Sequence, residues 1–261
     1  NHDMHSHWHK QDGNPLFPDL LWSRPENKLH AGKLLIIGGT GQSFAAPAEA
    51  YTPAQKAGAG STRVLLPDSL KRTVGKLSPV AEFAPSTPSG SFGMSSLAEF
   101  LDAASWSDGV TITSDTGNNS ETAQLLESYY DKYSGQLTFS GSTLSSLTAE
   151  TAVRILSRPD TTIILSLSEL QKLAIAARFT TAFTSDMGLA RLVETLHDLY
   201  KLHAAHFVVL YENNAVVAVD GHVSTTPVRG QSPTQLAAQA ATWWLQNPTK
   251  PFEAITTSLV A

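Results

Sequence analysis

The run Lys33-Leu34-Leu35-Ile36-Ile37-Gly38-Gly39-Thr40-Gly41 constrains the fold more than any other stretch. Leu34 to Ile37 show no polar alternation, which suits a strand buried on both faces, as in parallel sheets covered by helices. The glycines that follow let the backbone turn tightly and come close to a ligand. In open parallel sheets the ligand crevice lies beyond the carboxyl ends of the strands, so Gly38, Gly39 and Thr40 form a candidate binding turn. The same glycines also suit a plain strand-to-helix turn. Gly39-Thr40-Gly41-Gln42-Ser43-Phe44 ends in phenylalanine where a dinucleotide fingerprint needs glycine, which discounts a Rossmann NAD site.

A chain of 261 residues, 41% hydrophobic and 16% charged, can bury a sizeable core in one large α/β domain or, less readily, form two small ones, and size alone does not decide. Its net charge of −5 is spread without blocks of either sign, so nothing suits nucleic-acid phosphates or anionic lipid. Cysteine is absent, which excludes disulfides, thiolate metal sites and cysteine nucleophiles and is compatible with a cytoplasmic setting. No apolar run approaches the roughly 20 residues that span a bilayer, and no signal-peptide core is seen at the amino end.

Residues 1–23 read as a leader outside the domain. His2, His5, His7 and His9 could hold zinc or nickel weakly, but a flexible polar tail is the plainer reading. Pro15 to Trp22 is apolar and punctuated by proline, and is expected to pack across the domain surface.

From residue 31 to 204, strands and helices alternate. Strands are expected at Lys33–Ile37, Ser61–Leu66, Ala81–Ala84, Val110–Thr113, Gln136–Phe139 and Thr161–Leu165. Helices are expected at Ala45–Ala59, from Pro67 to near Leu77, and at Met94–Ala104, with a further helix after Ser120. Leu147–Ser157, Leu167–Arg178 and Met187–His203 complete the set. Such alternation points to a doubly wound parallel sheet. Asp115, Gly117 and Asn118 lie where a strand gives way to a helix, a place where free N–H groups welcome anions, although Asn119 or Ser120 can cap the helix instead. His197, His203 and His206 do not share one helix face and read as ordinary polar or partly buried residues.

The pattern changes after residue 205. Phe207–Tyr211 and Ala215–Val219 flank Glu212-Asn213-Asn214 as a hairpin, and Asp220-Gly221 turns into His222–Thr226, giving an antiparallel edge. Ser232 and Pro233 then read as the N-cap and first residue of a helix reaching Gln246, and Phe252–Val260 as a last helix. Trp243 and Trp244 point in different directions on that helix; both can serve the core, or one can face a partner.

With Arg24-Pro25 before Lys33–Thr40, Ala57-Gly58-Ala59-Gly60, Thr113 to Thr122 and Pro251-Phe252-Glu253-Ala254, residues 24–261 resemble the ribokinase-like proteins. Among these the chain is most similar to the ADP- or ATP-dependent NAD(P)H-hydrate dehydratases. The resemblance implies a three-layer α/β/α fold with a mostly parallel central sheet, and a homo-oligomer. It also implies ADP or ATP with magnesium, and an NAD(P)H-type ligand in the crevice. Three of the family's motifs are altered. Its Asp-Ala-Asp-Ala-Leu segment becomes Ser140-Gly141-Ser142-Thr143-Leu144, without either carboxylate. Its Thr-Pro-His-Pro-Gly-Glu becomes Ile164 to Glu169, keeping only the glutamate. Its Gly-x-Gly-Asp, with an anion hole and a catalytic aspartate, becomes Gly230-Gln231-Ser232-Pro233.

The ligand-binding candidates are therefore Gly38, Gly39, Thr40, Asp115, Gly117, Asn118, Glu169, Gly230, Gln231 and Ser232, with no catalytic residue at Pro233 and no metal site. The expectation is a non-catalytic nucleotide-binding or assembly protein. The alternative is an active dehydratase or small-molecule kinase whose acid has moved to Asp108, Asp115, Glu169 or Asp220.

Overall fold

The computed structural model describes residues 7–75, 78–146 and 148–261. His2, His5, the expected helix end near Leu77 and the expected helix start at Leu147 lie outside them. The strands are β1 (Trp8–Lys10), β2 (Lys33–Ile37), β3 (Ser61–Pro67), β4 (Ala81–Ala84), β5 (Gly109–Ile112), β6 (Leu137–Ser140), β7 (Thr161–Ser166), β8 (His206–Tyr211), β9 (Asn214–Val219) and β10 (His222–Pro227). The α-helices are α1 (Pro18–Trp22), α2 (Ala45–Lys56), α3 (Lys71–Val74), α4 (Leu97–Trp106), α5 (Ser120–Lys132), α6 (Ala149–Leu156), α7 (Leu167–Ala176), α8 (Leu189–Asp198), α9 (Pro233–Gln246) and α10 (Pro251–Ser258).

All these strands join one sheet in the order β1-β10-β9-β8-β7-β6-β5-β2-β3-β4. From β4 to β8 the neighbours are parallel, while β8, β9 and β10 form an antiparallel meander. The sheet is thus mostly parallel with an antiparallel carboxyl-terminal part. The side chains of β2 explain why its sequence lacks polar alternation. Leu34 and Ile36 pack under α2 and α9 on one face, and Leu35 and Ile37 join the core beneath α4 to α8 on the other. All four are fully buried, so both faces of this central strand need aliphatic residues.

The α9 face of the sheet is built differently. Thr111, Thr138 and Thr162 are buried there, and the facing helix offers Ala237, Ala238 and Ala241, so short side chains let helix and sheet approach closely. Trp243 and Trp244 are both about 1% exposed, in separate apolar clusters, so neither faces a partner.

Several boundaries differ from expectation. The expected Met94–Ala104 helix begins as a 3-10 turn, and α8 stops at Asp198 before another 3-10 turn at Tyr200–Leu202. In the β8–β9 turn the positive-φ residues are Glu212 and Asn213, at 44° and 62°, and Asn214 already belongs to β9. The largest departure is at the leader. Trp8 to Lys10 pairs in parallel with Val223 to Thr225, and Gln11 donates its amide to the Thr225 carbonyl, whereas the Pro15 to Trp22 segment packs as expected, with Leu20 buried against Trp243 and Ala254. Residues 8–10 are therefore a strand and not a loose tail; the His7 ring stacks on His197 at 3.6 Å and bonds Glu194.

Candidate functional site

The chain runs outward from β2 to β3 and β4, then returns to the other side of β2 with β5, β6, β7 and β8. The direction reverses between β2 and β5, where an open α/β sheet leaves a crevice at the carboxyl ends of its strands. Gly38, Gly39, Thr40, Asp115 and Gly117 all lie there, on the two turns that leave β2 and β5.

Those turns clasp each other. Thr113 donates its amide to the Ile37 carbonyl at 3.0 Å, and Gly39 donates to the Asp115 carbonyl at 2.7 Å. A Cβ on Gly38 would stand 1.9 Å from Thr113 Oγ1, so the close approach excludes any side chain. The 86–92 loop closes over the clasp: a Cβ on Gly90 would fall 2.7 Å from Gly41 Cα, and Asn119 Nδ2 donates to Ser89 Oγ at 3.0 Å. Most amides of the turn after β2 are spent on this packing, since Gly38 donates to Leu65 O, Thr40 to Ser43 O, Gln42 to Thr40 Oγ1 and Ser43 to Thr40 O. Gly117 lies against Ser91, and Asn118 is exposed at the rim.

Across the crevice stands the start of α9. Ser232 caps it, with its Oγ accepting from the Gln235 amide at 3.2 Å while Gln235 Oε1 accepts from the Ser232 amide at 3.0 Å. Pro233 is the first helical residue and has no N–H to offer. Ser114, just past β5, brings its hydroxyl to 3.4 Å from Thr234 Oγ1, tying this helix start to the switch point. Ser232 Oγ also donates to Glu49 Oε1 at 2.6 Å, which sets a carboxylate from α2 at the amino end of α9. Sequence reasoning passed over Glu49, whose position inside an alanine-rich helix carries no motif. Gly230 is in the left-handed region at φ 71°, open to solvent, and Gln231 Nε2 reaches Gln239 Oε1 at 3.4 Å.

Glu169 lies apart, at the end of β7, two strands from β5. Its carboxylate accepts from the Ser166 amide at 2.8 Å while the Ser166 hydroxyl accepts from the Glu169 amide at 3.1 Å, a reciprocal cap on α7. It borders a pocket of about 430 Å³ with Gly141, Ser142, Thr148 and Lys172. Ser140 and Ser142 place hydroxyls 3.1 Å apart in the segment where the resembled family has two aspartates. Asp108 and Asp220 do not join the crevice. Asp108 precedes β5 and accepts from the Lys33 amide at 2.8 Å, and Asp220 follows β9 as it runs away from the strand carboxyl ends, so both sit at the opposite edge.

Superposition on solved structures shows that the chain has a ribokinase-like α/β fold. The ribokinase-like superfamily protein of Enterococcus faecalis V583 superposes with a TM-score of 0.67 over 97% of this chain and 85% of its own, at 18% identity. The ADP/ATP-dependent NAD(P)H-hydrate dehydratase of Bacillus subtilis, crystallised with ATP and magnesium, gives 0.62 over 94% and 85%, at 14% identity. In sequence, the bifunctional NAD(P)H-hydrate repair enzyme of Methanothermobacter thermautotrophicus is 38% identical over 98 residues, 36% of this chain and 18% of that protein. The match thus spans less than a fifth of that relative. No protein-family model matches the chain. Among the described residues no helix is long and apolar enough to cross a membrane.

Proposed function

We propose that this chain is a ribokinase-like protein, related to the NAD(P)H-hydrate dehydratases, that retains a small-molecule crevice without the proton-transfer chemistry. The start of α9 carries this reading. The aspartate that the resemblance places there has Pro233 in its position, and proline can neither take up a proton nor supply an N–H to an anion hole. The Ser140 to Leu144 segment supports it, because hydroxyls stand in place of two carboxylates. Ligand binding or assembly is then the remaining role of the scaffold.

A second reading, an active dehydratase with a relocated acid, is favoured by the 38% identity over 98 residues. Asp115 and Glu169 are the nominated acids at the correct edge of the sheet, and the Glu169 carboxylate already caps α7. Assaying the loss of water from hydrated NADPH, with ADP or ATP and magnesium, separates the two. The first reading expects no turnover above the uncatalysed rate; turnover abolished by Asp115→Asn establishes the second.

A further inference from the structure

We infer that the chain closes the start of α9 against nucleotide phosphate with its own Glu49, so that the crevice discriminates against ADP and ATP. The inference rests on the reading of the crevice as a binding site and adds which ligands it rejects. A helix amino terminus attracts an anion because its first N–H groups lack partners and the helix dipole favours negative charge. Here one of the usual donors remains, the Thr234 amide, and the others are used. Pro233 has none, the Gln235 amide is taken by Ser232, and the Ser232 amide is taken by Gln235 Oε1.

The favourable place for negative charge is also filled, because Ser232 Oγ holds the Glu49 carboxylate at 2.6 Å. A phosphate arriving there meets a like charge and finds the Thr234 amide, but no donor from Ser232, Pro233 or Gln235, to offset the repulsion. On the facing side of the crevice, the amides of Gly38, Gly39, Thr40, Gln42 and Ser43 bond within the protein, so that turn is a structural clasp and offers none of these donors as a phosphate cradle. These donors do not fit the phosphates of the nucleotide that the fold's relatives bind. A ligand of this crevice presents an uncharged end to α9.

The test measures ADP and adenosine affinity by calorimetry for the wild-type chain and for Glu49→Gln, in low salt and in 1 M salt. Glutamine keeps an oxygen to accept the Ser232 hydroxyl and removes the charge, and Glu49 is exposed, so the variant is expected to fold. The expected result is ADP affinity at least roughly tenfold tighter in Glu49→Gln at low salt, with the difference shrinking in high salt as screening shortens the reach of the charge, and with adenosine unaffected. Equal ADP affinity in both proteins, or no ADP binding by either, overturns the inference. Turnover of hydrated NADPH by the wild-type chain instead overturns the silent-crevice reading, so the two failures are distinguishable.

Discussion

His206 opens β8 beneath α9, 7% exposed, with its Nδ1 3.0 Å from Thr162 Oγ1 and its ring edge-on to Trp244. Burial lowers its pKa from 6.5 to about 4 because the charged imidazolium is poorly solvated there. Between those values the unfolded chain holds the proton more often than the folded one, so acid favours unfolding. The stability present near neutral pH is lost as pH falls through 6.5 toward 4, by about 3 kcal/mol from this residue. Urea unfolding at pH 7 and pH 4 should show His206→Gln losing less stability on acidification than wild type, by about that amount; equal losses would mean His206 does not set this slope. Gly38 offers a second residue-scale prediction. Gly38→Ala should cost on the order of 2 kcal/mol through its clash with Thr113 Oγ1, and Thr113→Ala in the same chain should recover part of it. A denaturation cycle of the two single variants and the double variant would show additive losses if the clasp does not matter.

At the scale of elements, the cap on α9 was legible from Ser232 and Pro233 alone, because N-cap and first-turn chemistry is local. Ser232→Ala should lower stability by about 1 kcal/mol, read as a shift in the urea midpoint, and no shift would show that the capping box is idle. The β8–β9 turn was legible as a turn but not in its detail. Glu212 sits at φ 44°, where a side chain is strained, so Glu212→Gly should stabilise by several tenths of a kcal/mol to about 1 kcal/mol, and a loss in the same unfolding measurement would contradict this. Glu49 shows the limit of the sequence. Its contact with Ser232 joins residues 183 positions apart, and only the packing of α2 against α9 creates it. Strand β1 escaped for another reason: three residues are too few to display a period, and its pairing with β10 is even more remote in the chain.

For the whole molecule, the buried run of β2, the strand–helix alternation and the closing hairpins were enough to define a mostly parallel sheet with an antiparallel part. The function is less legible because a ribokinase-like scaffold hosts different chemistries, and the deciding residues sit at turns whose roles depend on what faces them. Gly38 and Gly39 illustrate this: the sequence permits a ligand turn or a structural turn, and the Thr113 contact and spent amides favour the structural one. Asp115 was nominated beside them, yet only its backbone carbonyl has a defined part in the clasp. The central claim is a scaffold without proton-transfer chemistry. Its most direct test is the rate of water loss from hydrated NADPH, with ADP or ATP and magnesium, measured beside the B. subtilis dehydratase as the positive control. Loss of a general base typically costs about 10²- to 10⁴-fold, so this chain should run at least roughly 100-fold slower than that enzyme or show no turnover at all. A comparable rate, lost in Asp115→Asn, would contradict the account and make Asp115 the working acid.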